Sequence, residues 1–459
     1  MKKMLFTLVA FFIGITSIMA QDPTAPLPVD SDVRIGKLDN GMTYYIRHNE
    51  KPKGQASFYI YHDVGAIQED DDQQGLAHFL EHMAFNGSKN LPGKEMIEKL
   101  ETIGVQFGYN LNAFTSWDCT EYMIKDCPIT EENLDLALLI LHDWSQFIAL
   151  QPAEIDSERG VIMEELRSRD GAQWRSQIDM IAQLFKGTLY EHRNIIGHLD
   201  GLKSFDHTAL ENFYHKWYRP EYQAIVIVGD VDVDQIEQKI KNLFGSIPAA
   251  ATPTVKPIIP IPGNKEPVVA VLTDPEASSS MVELIWRGDA MPKELASTDA
   301  AFLLDVVKAV ISSVFSERMD AIMASSNAPF ISAGLGIGSL CEGCEAVQAQ
   351  VVFKDGDYTN AMKAFYTEIE RIRRYGITES EYERAKLLLI SNAEKAVEAA
   401  SSRENAEFIW PILRNFFHNS YLLTPEMDLQ LTQALLGQLP AAVFAQVLAE
   451  AISEENFVV

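Results

Sequence analysis

The sequence predicts an α+β protein of two domains that repeat one another in outline, each a mostly antiparallel sheet packed with helices. Three observations carry this. Short β-rich apolar runs and longer stretches of helical period occur in residues 33–245 and again in 267–459. Asp39-Asn40-Gly41, set between two such runs, is a hairpin turn and implies antiparallel pairing. Between the halves, residues 246–266 hold Pro248, Pro253, Pro257, Pro260 and Pro262, an extended, semi-rigid linker. The 459 residues suffice for two or three full cores, and 47% apolar with 22% charged residues is ordinary for a folded globular chain.

Residues 1–20 read as an export signal. Lys2-Lys3 is followed by an uncharged apolar run, and Ala20 fits a cleavage site, with Ile18 larger than such a site prefers. An uncleaved anchor is the alternative, disfavoured by the shortness of the run. This predicts a periplasmic or secreted protein. A proline-rich tail (21–32) leads into strands at 33–38, 42–47 and 55–64. Helices follow at 75–87 and 94–103, then extended segments at 105–116 and 117–125. Helices at 130–148, 153–169, 174–185 and 207–217, a strand at 222–228 and a helix at 234–244 complete the first domain. The second reads as strands at 268–273 and 281–286, a helix at 295–324, strands at 331–337 and 346–353, and helices at 358–373 and 379–400.

The net charge of −27 argues against nucleic-acid partners and is compatible with cationic peptides or basic surfaces. Of four cysteines, Cys119 and Cys127 lie along one extended segment and are too far apart to pair. Cys341-Glu-Gly-Cys344 has the spacing of a tight local disulfide. A metal site there lacks a second pair of ligands, and C-x-x-C alone is a weak sign of redox chemistry.

The chemistry concentrates in Gly75-Leu-Ala-His78-Phe-Leu-Glu81-His82-Met-Ala-Phe-Asn86-Gly87. His78 and His82, four apart on a helix, project from one face, one turn above the other. Two imidazoles so placed bind one zinc ion, and Glu81 lies beside it. A catalytic zinc takes three protein ligands and leaves one position for water, whose pKa falls to about 7. A neighbouring carboxylate takes the proton of that water and passes it to the leaving amine. The bland alternative is a core helix with two satisfied histidines, but a helix otherwise so apolar has little reason to carry His, Glu and His without a shared partner. H-x-x-E-H is also the inverse of the H-E-x-x-H zinc-protease pattern.

A third ligand is sought on the helix at 153–169. Its apolar stripe is Ile155, Ile162 and Leu166, and Glu158 lies on that stripe. A carboxylate on a buried face demands a partner, so Glu158 is the expected ligand. Glu165, seven later on a similar face, is the runner-up or a supporting group.

With these residues in place the chain resembles the insulinase/pitrilysin family of zinc peptidases, the inverzincins, and its exported bacterial members in particular. His78-Phe-Leu-Glu81-His82 matches the zinc motif, and Glu158 in Ser-Glu-Arg-Gly-Val-Ile stands at the distance of the third ligand. Asn112-Ala113-x-Thr115 matches a substrate-binding strand, and Leu38-Asp-Asn-Gly41 and Gly229-Asp-Val231 match the domain's start and end. The resemblance implies one zinc on His78, His82 and Glu158, Glu81 as general base, and Asn112 and Ala113 holding substrate backbone. Many members carry an acid seven residues before the third ligand; with Glu158 in that role the position falls on Gln151. It also implies a second, inactive homologous domain, the pair forming one half of a clamshell chamber. The opposing half usually brings an Arg and a Tyr to grip substrate. Arg318 is similar to the Arg, and no Tyr follows at the expected distance. The chain therefore reads as the N-terminal half of a longer protein, or a subunit that pairs with a homologous half or with itself.

The function expected is zinc endopeptidase activity on unfolded peptides or small proteins. The alternative is a non-catalytic peptide-binding or scaffold subunit that needs a partner half. The complete ligand set and Glu81 favour the first, and the absent opposing half favours the second. A metal-storage or sensing role would want ligands facing solvent, not a site in a core helix.

Overall fold

In the computed structural model, which describes residues 24–252, 254–354 and 356–459, the chain forms two sheets, each backed by helices. The expected export signal lies outside the described residues. The first sheet takes β1 (Val33–Lys37), β2 (Thr43–His48) and β3 (Gln55–His62), and the helices α1 (Leu76–Met83) and α2 (Glu95–Thr102) follow. Next come β4 (Leu111–Thr115), β5 (Thr120–Pro128), α3 (Glu131–Gln146), α4 (Pro152–Ser168) and α5 (Ala172–Leu184). The short α6 (Leu199–Ser204), α7 (His207–Trp217), β6 (Gln223–Gly229) and α8 (Val233–Phe244) complete this part. The strand order is β1-β2-β6-β3-β5-β4; β2 and β6 run parallel, and every other pairing is antiparallel.

The second sheet comprises β7 (Met281–Asp289), β8 (Phe330–Cys341), β9 (Cys344–Phe353) and β10 (Phe457–Val458). Between and after its strands lie α9 (Asp299–Met323), α10 (Tyr358–Tyr375), α11 (Glu379–Ala399), α12 (Ile409–His418), α13 (Pro425–Leu436) and α14 (Ala442–Ala451). Its order is β10-β7-β9-β8, all antiparallel. The α+β class with two mostly antiparallel sheets is therefore as the sequence implies.

Several elements differ from expectation. Residues 105–110 are a loop, since Gly108 turns the chain at φ +81° before β4 begins. Residues 268–273 form no named strand; Val268 makes a single bridge to Val458. Cys341 and Cys344 face one another across the β8–β9 turn, and both are free thiols.

The alternation of β2, β3 and β6 explains why they read as continuous apolar runs. Ile46, Phe58, Ile60, Ile225 and Ile227 face a core shared with α1, α3 and α7. Tyr45, Tyr59, Tyr61, Val226 and Val228 face the other way and are covered by Phe408, Ile409 and Ile412, at and around the start of α12. Both faces are buried, so neither needs polar residues.

In the second part, Arg318 of α9 grips Glu381 of α11 with two bonds (Nε–Oε1 2.7 Å and Nη2–Oε2 2.9 Å) and reaches Glu368 of α10 at 3.4 Å. This is the arginine that resembles a substrate-gripping group; here it ties three helices together. The bond to Arg318, against some desolvation, lowers the Glu381 carboxyl to about 2. The stability from that depressed pKa is present above the unfolded value near 4.5 and is lost as pH falls toward 2. Arg318→Ala should therefore cost roughly 1–2 kcal/mol at pH 7 after allowance for solvent screening. The gap to wild type in urea unfolding should narrow progressively below pH 4.5.

Candidate metal centre

The site is built where α1 meets α4 and β4. His78 and His82 lie on one face of α1, edge to face, with ring centroids 4.8 Å apart. α4 supplies both carboxylates considered from sequence. Glu165 lies against the outer nitrogens, its Oε1 3.7 Å from His78 Nε2 and its Oε2 3.3 Å from His82 Nε2. These donor atoms all lie within 4.8 Å of one another. Glu158 is elsewhere: its Oε1 is 2.8 Å from His82 Nδ1, the inner nitrogen, and its Oε2 accepts from Asn86 Nδ2 at 2.7 Å. The geometry thus exchanges the two glutamates relative to the sequence expectation. Glu165 is the carboxylate grouped with the outer nitrogens, and Glu158 meets His82 at the inner one.

The donor set suits a zinc ion. Two imidazole nitrogens and one carboxylate form a familiar catalytic set, and ligands about 2.0–2.2 Å from a tetrahedral centre stand about 3.3 Å apart, close to the spacing here. The electrostatics favour one positive charge at this point. Burial works against a charge on His82, but its hydrogen bonds to Glu158 and Glu165 hold it up to about 9. Burial and the neighbouring His82 push His78 down to about 3. Glu165, bonded to His82, falls to about 2. Arg169 also binds Glu165, from one turn further along α4.

Glu81 is buried beside the histidines, and burial raises its carboxyl to about 7 against the pull of Thr115. Thr115 Oγ1 donates to Glu81 Oε2 at 2.5 Å. The hydroxyl comes from the last residue of β4, the edge strand of the sheet. In that strand Leu111 and Thr115 point inward, while Asn112 and Phe114 are exposed. The Asn112 side chain accepts from the Ala113 N–H at 2.9 Å. Asn110 and Ser116 bond to the loop and turn on either side: Asn110 Oδ1 accepts from Gln106 N, and Ser116 Oγ from Cys119 N. The roles of Thr115 and Asn86 were not assigned from sequence. A signal for Asn86 was its place four after His82, one turn along.

The Insulinase (Peptidase family M16) profile matches residues 44–191, and the Peptidase M16 inactive domain profile matches residues 204–389. The chain belongs to the insulinase family of peptidases. It is 28% identical over 423 residues to the probable zinc protease PqqL of Escherichia coli, which covers 92% of this chain and 45% of that protein. It is 37% identical over 255 residues to the Haemophilus influenzae protein of the same name, across 55% of this chain and 27% of that one. The solved first half of the periplasmic protease PqqL from E. coli superposes with a TM-score of 0.88 at 26% identity, over 95% of this chain and 92% of that one. The full-length PqqL structure gives the same score, with 48% of its chain covered. The chain thus spans about half the length of the curated relatives it matches. Among the described residues no helix is long and apolar enough to cross a membrane.

Thr115→Val removes the hydrogen bond to a buried carboxylate and should destabilise the chain by about 2 kcal/mol. Thr115→Ser should recover most of that loss, both read as midpoints of urea denaturation.

Proposed function

We propose that this chain is the catalytic half of a zinc endopeptidase, with one zinc ion held by His78, His82 and Glu165. The observation that carries the reading is His82, with a carboxylate against each ring nitrogen. Glu165 shares the outer side with the ligand atoms, and Glu158 fixes the ring from the inner side. A carboxylate behind a ligating imidazole fixes its orientation and raises its basicity.

A bound zinc ion would lower the pKa of water and polarise a peptide carbonyl at that point. The chain's own residues do the rest. Glu81, held by Thr115, is the general base: it accepts a proton during attack and returns it to the leaving amine. At the outer edge of β4 an extended peptide adds as a strand, displacing the Asn112 side chain from the Ala113 N–H. Such a substrate must be unfolded or locally extended, so the substrate class is peptides or small unfolded proteins. Export to the periplasm is proposed from the leader-like first twenty residues, and the E. coli relative is described as periplasmic. A second homologous half is the proposed partner, since PqqL is about twice as long as the stretch matched.

The test is cleavage of a set of unstructured peptides by the purified chain, with zinc measured in every sample. Glu81→Gln should keep zinc and lose nearly all turnover, while His82→Ala and Glu165→Ala should lose both. Glu158→Gln should still bind zinc, with affinity weakened about 10–100-fold. Full zinc affinity in Glu165→Ala would remove that residue from the ligand set. Zinc binding without turnover in the wild type would favour the scaffold reading until the second half is supplied.

A further inference from the structure

α1 carries His78, Glu81 and His82, yet no side chain of its own caps its N-terminus. The N-cap is Gly75, at φ +89°. Glycine is required there: a Cβ would meet the Gly197 Cα at 2.7 Å, and a Cβ on Gly197, at φ +77°, would meet the Gln74 carbonyl oxygen at the same distance. A capping Ser, Thr or Asp is therefore sterically barred, and the N–H groups at the head of the helix must find another acceptor.

Glu69 is that acceptor. It is buried, with 3% of its surface exposed, nine residues before His78. Its Oε1 accepts from Ala77 N at 2.8 Å and Gly75 N at 3.1 Å, and its Oε2 lies 3.0 Å from the same Gly75 N. The backbone around it is also held. The Glu69 carbonyl accepts from Arg193 Nη2 at 2.8 Å, and the Arg193 carbonyl accepts from the Trp117 indole at 2.9 Å. Ala66 N and Ile67 N donate to the carbonyls of Ser116 and Trp117 at 3.0 and 2.9 Å. The segment 66–69 is thus pinned on one side to the chain leaving β4 and on the other to the head of α1.

The last residue of β4 is Thr115, which holds Glu81. We propose that Glu69 is a positioning residue for the metal centre: its carboxylate sets the height of α1 against β4. That height fixes the reach of Thr115 to Glu81 and of the histidines to Glu165. An eight-residue helix is about two turns long, so a shift at its head is carried to His78 and His82 with little body to absorb it. The proposal rests on the zinc-peptidase reading of the site. A cap that served stability alone would leave metal affinity and turnover untouched.

The test uses the full chain with Glu69→Gln, which keeps the shape and one acceptor but loses the charge, and Glu69→Asp, which keeps the charge but is too short. Four quantities are read: zinc affinity against a competing chelator, kcat, KM, and amide hydrogen exchange of a peptide spanning 75–83. Glu69→Gln should exchange at least tenfold faster at the head of α1, bind zinc about tenfold more weakly, and lose kcat with KM little changed. Glu69→Asp should fall between it and the wild type. A lowered melting temperature with zinc affinity, kcat and exchange unchanged overturns the proposal. If both variants fail to fold, exchange in the wild type decides: the head of α1 must be protected, and rapid exchange there refutes the cap. If the wild type neither binds zinc nor cleaves, the peptidase reading falls, while the exchange comparison still reports on Glu69.

Discussion

Everything at this site depends on one imidazole held between two carboxylates. Glu158 and Glu165 are seven apart on α4, two helical turns and about 10 Å along its axis. Both reach His82, one at Nδ1 and the other at Nε2. That is possible only if His82 inserts between them, which fixes the relative placement of α1 and α4. The centre is strongly acidic without a cation, and it is only partly exposed. Arg169 offsets part of that charge at Glu165, and a proton on His82 or a metal ion at the outer nitrogens offsets more.

The two histidines and Glu81 were legible because their spacing within one helix encodes their geometry. The third carboxylate was not. On a helix, positions seven apart share nearly the same face, so periodicity alone gives Glu158 and Glu165 equal standing. Which one meets the outer nitrogens is set by the packing of α4 on α1, a tertiary fact carried by Ile155, Ile162 and their neighbours. Burial also misled. Glu158, on the apolar stripe, looked most in need of a partner, and it has one in His82, through the nitrogen facing away from Glu165. The preference for the more buried acid therefore pointed to the carboxylate at the inner nitrogen.

Polarity in an extended segment was a partial guide in the same way. Residues 105–116 hold several polar side chains, and the sequence suggested a strand open to a ligand. Five residues form the strand, and the polar groups divide by role: two secure loop and turn, one holds Glu81, and Asn112 stands exposed on the edge. The pleat makes this division, since residues two apart share a face, and a loop at Gly108 shifts where the alternation begins.

The second half of the chain, which carries no H-x-x-E-H, nonetheless completes the first. Helix α12 was not foreseen from sequence, because its apolar face matches nothing in its own sheet. It lies instead over Tyr45, Tyr59 and Tyr61, and Asn415 accepts a hydrogen bond from the Tyr45 hydroxyl at 2.8 Å. Without that cover the outer face of β2, β3 and β6 would expose a wide apolar surface, which monomeric proteins rarely tolerate. The same sheet carries β4 at its edge, so the strand that holds Glu81 is part of a structure closed by residues some three hundred positions later. The second half is therefore not a passive appendage: it covers the far face of the sheet whose near face packs against α1.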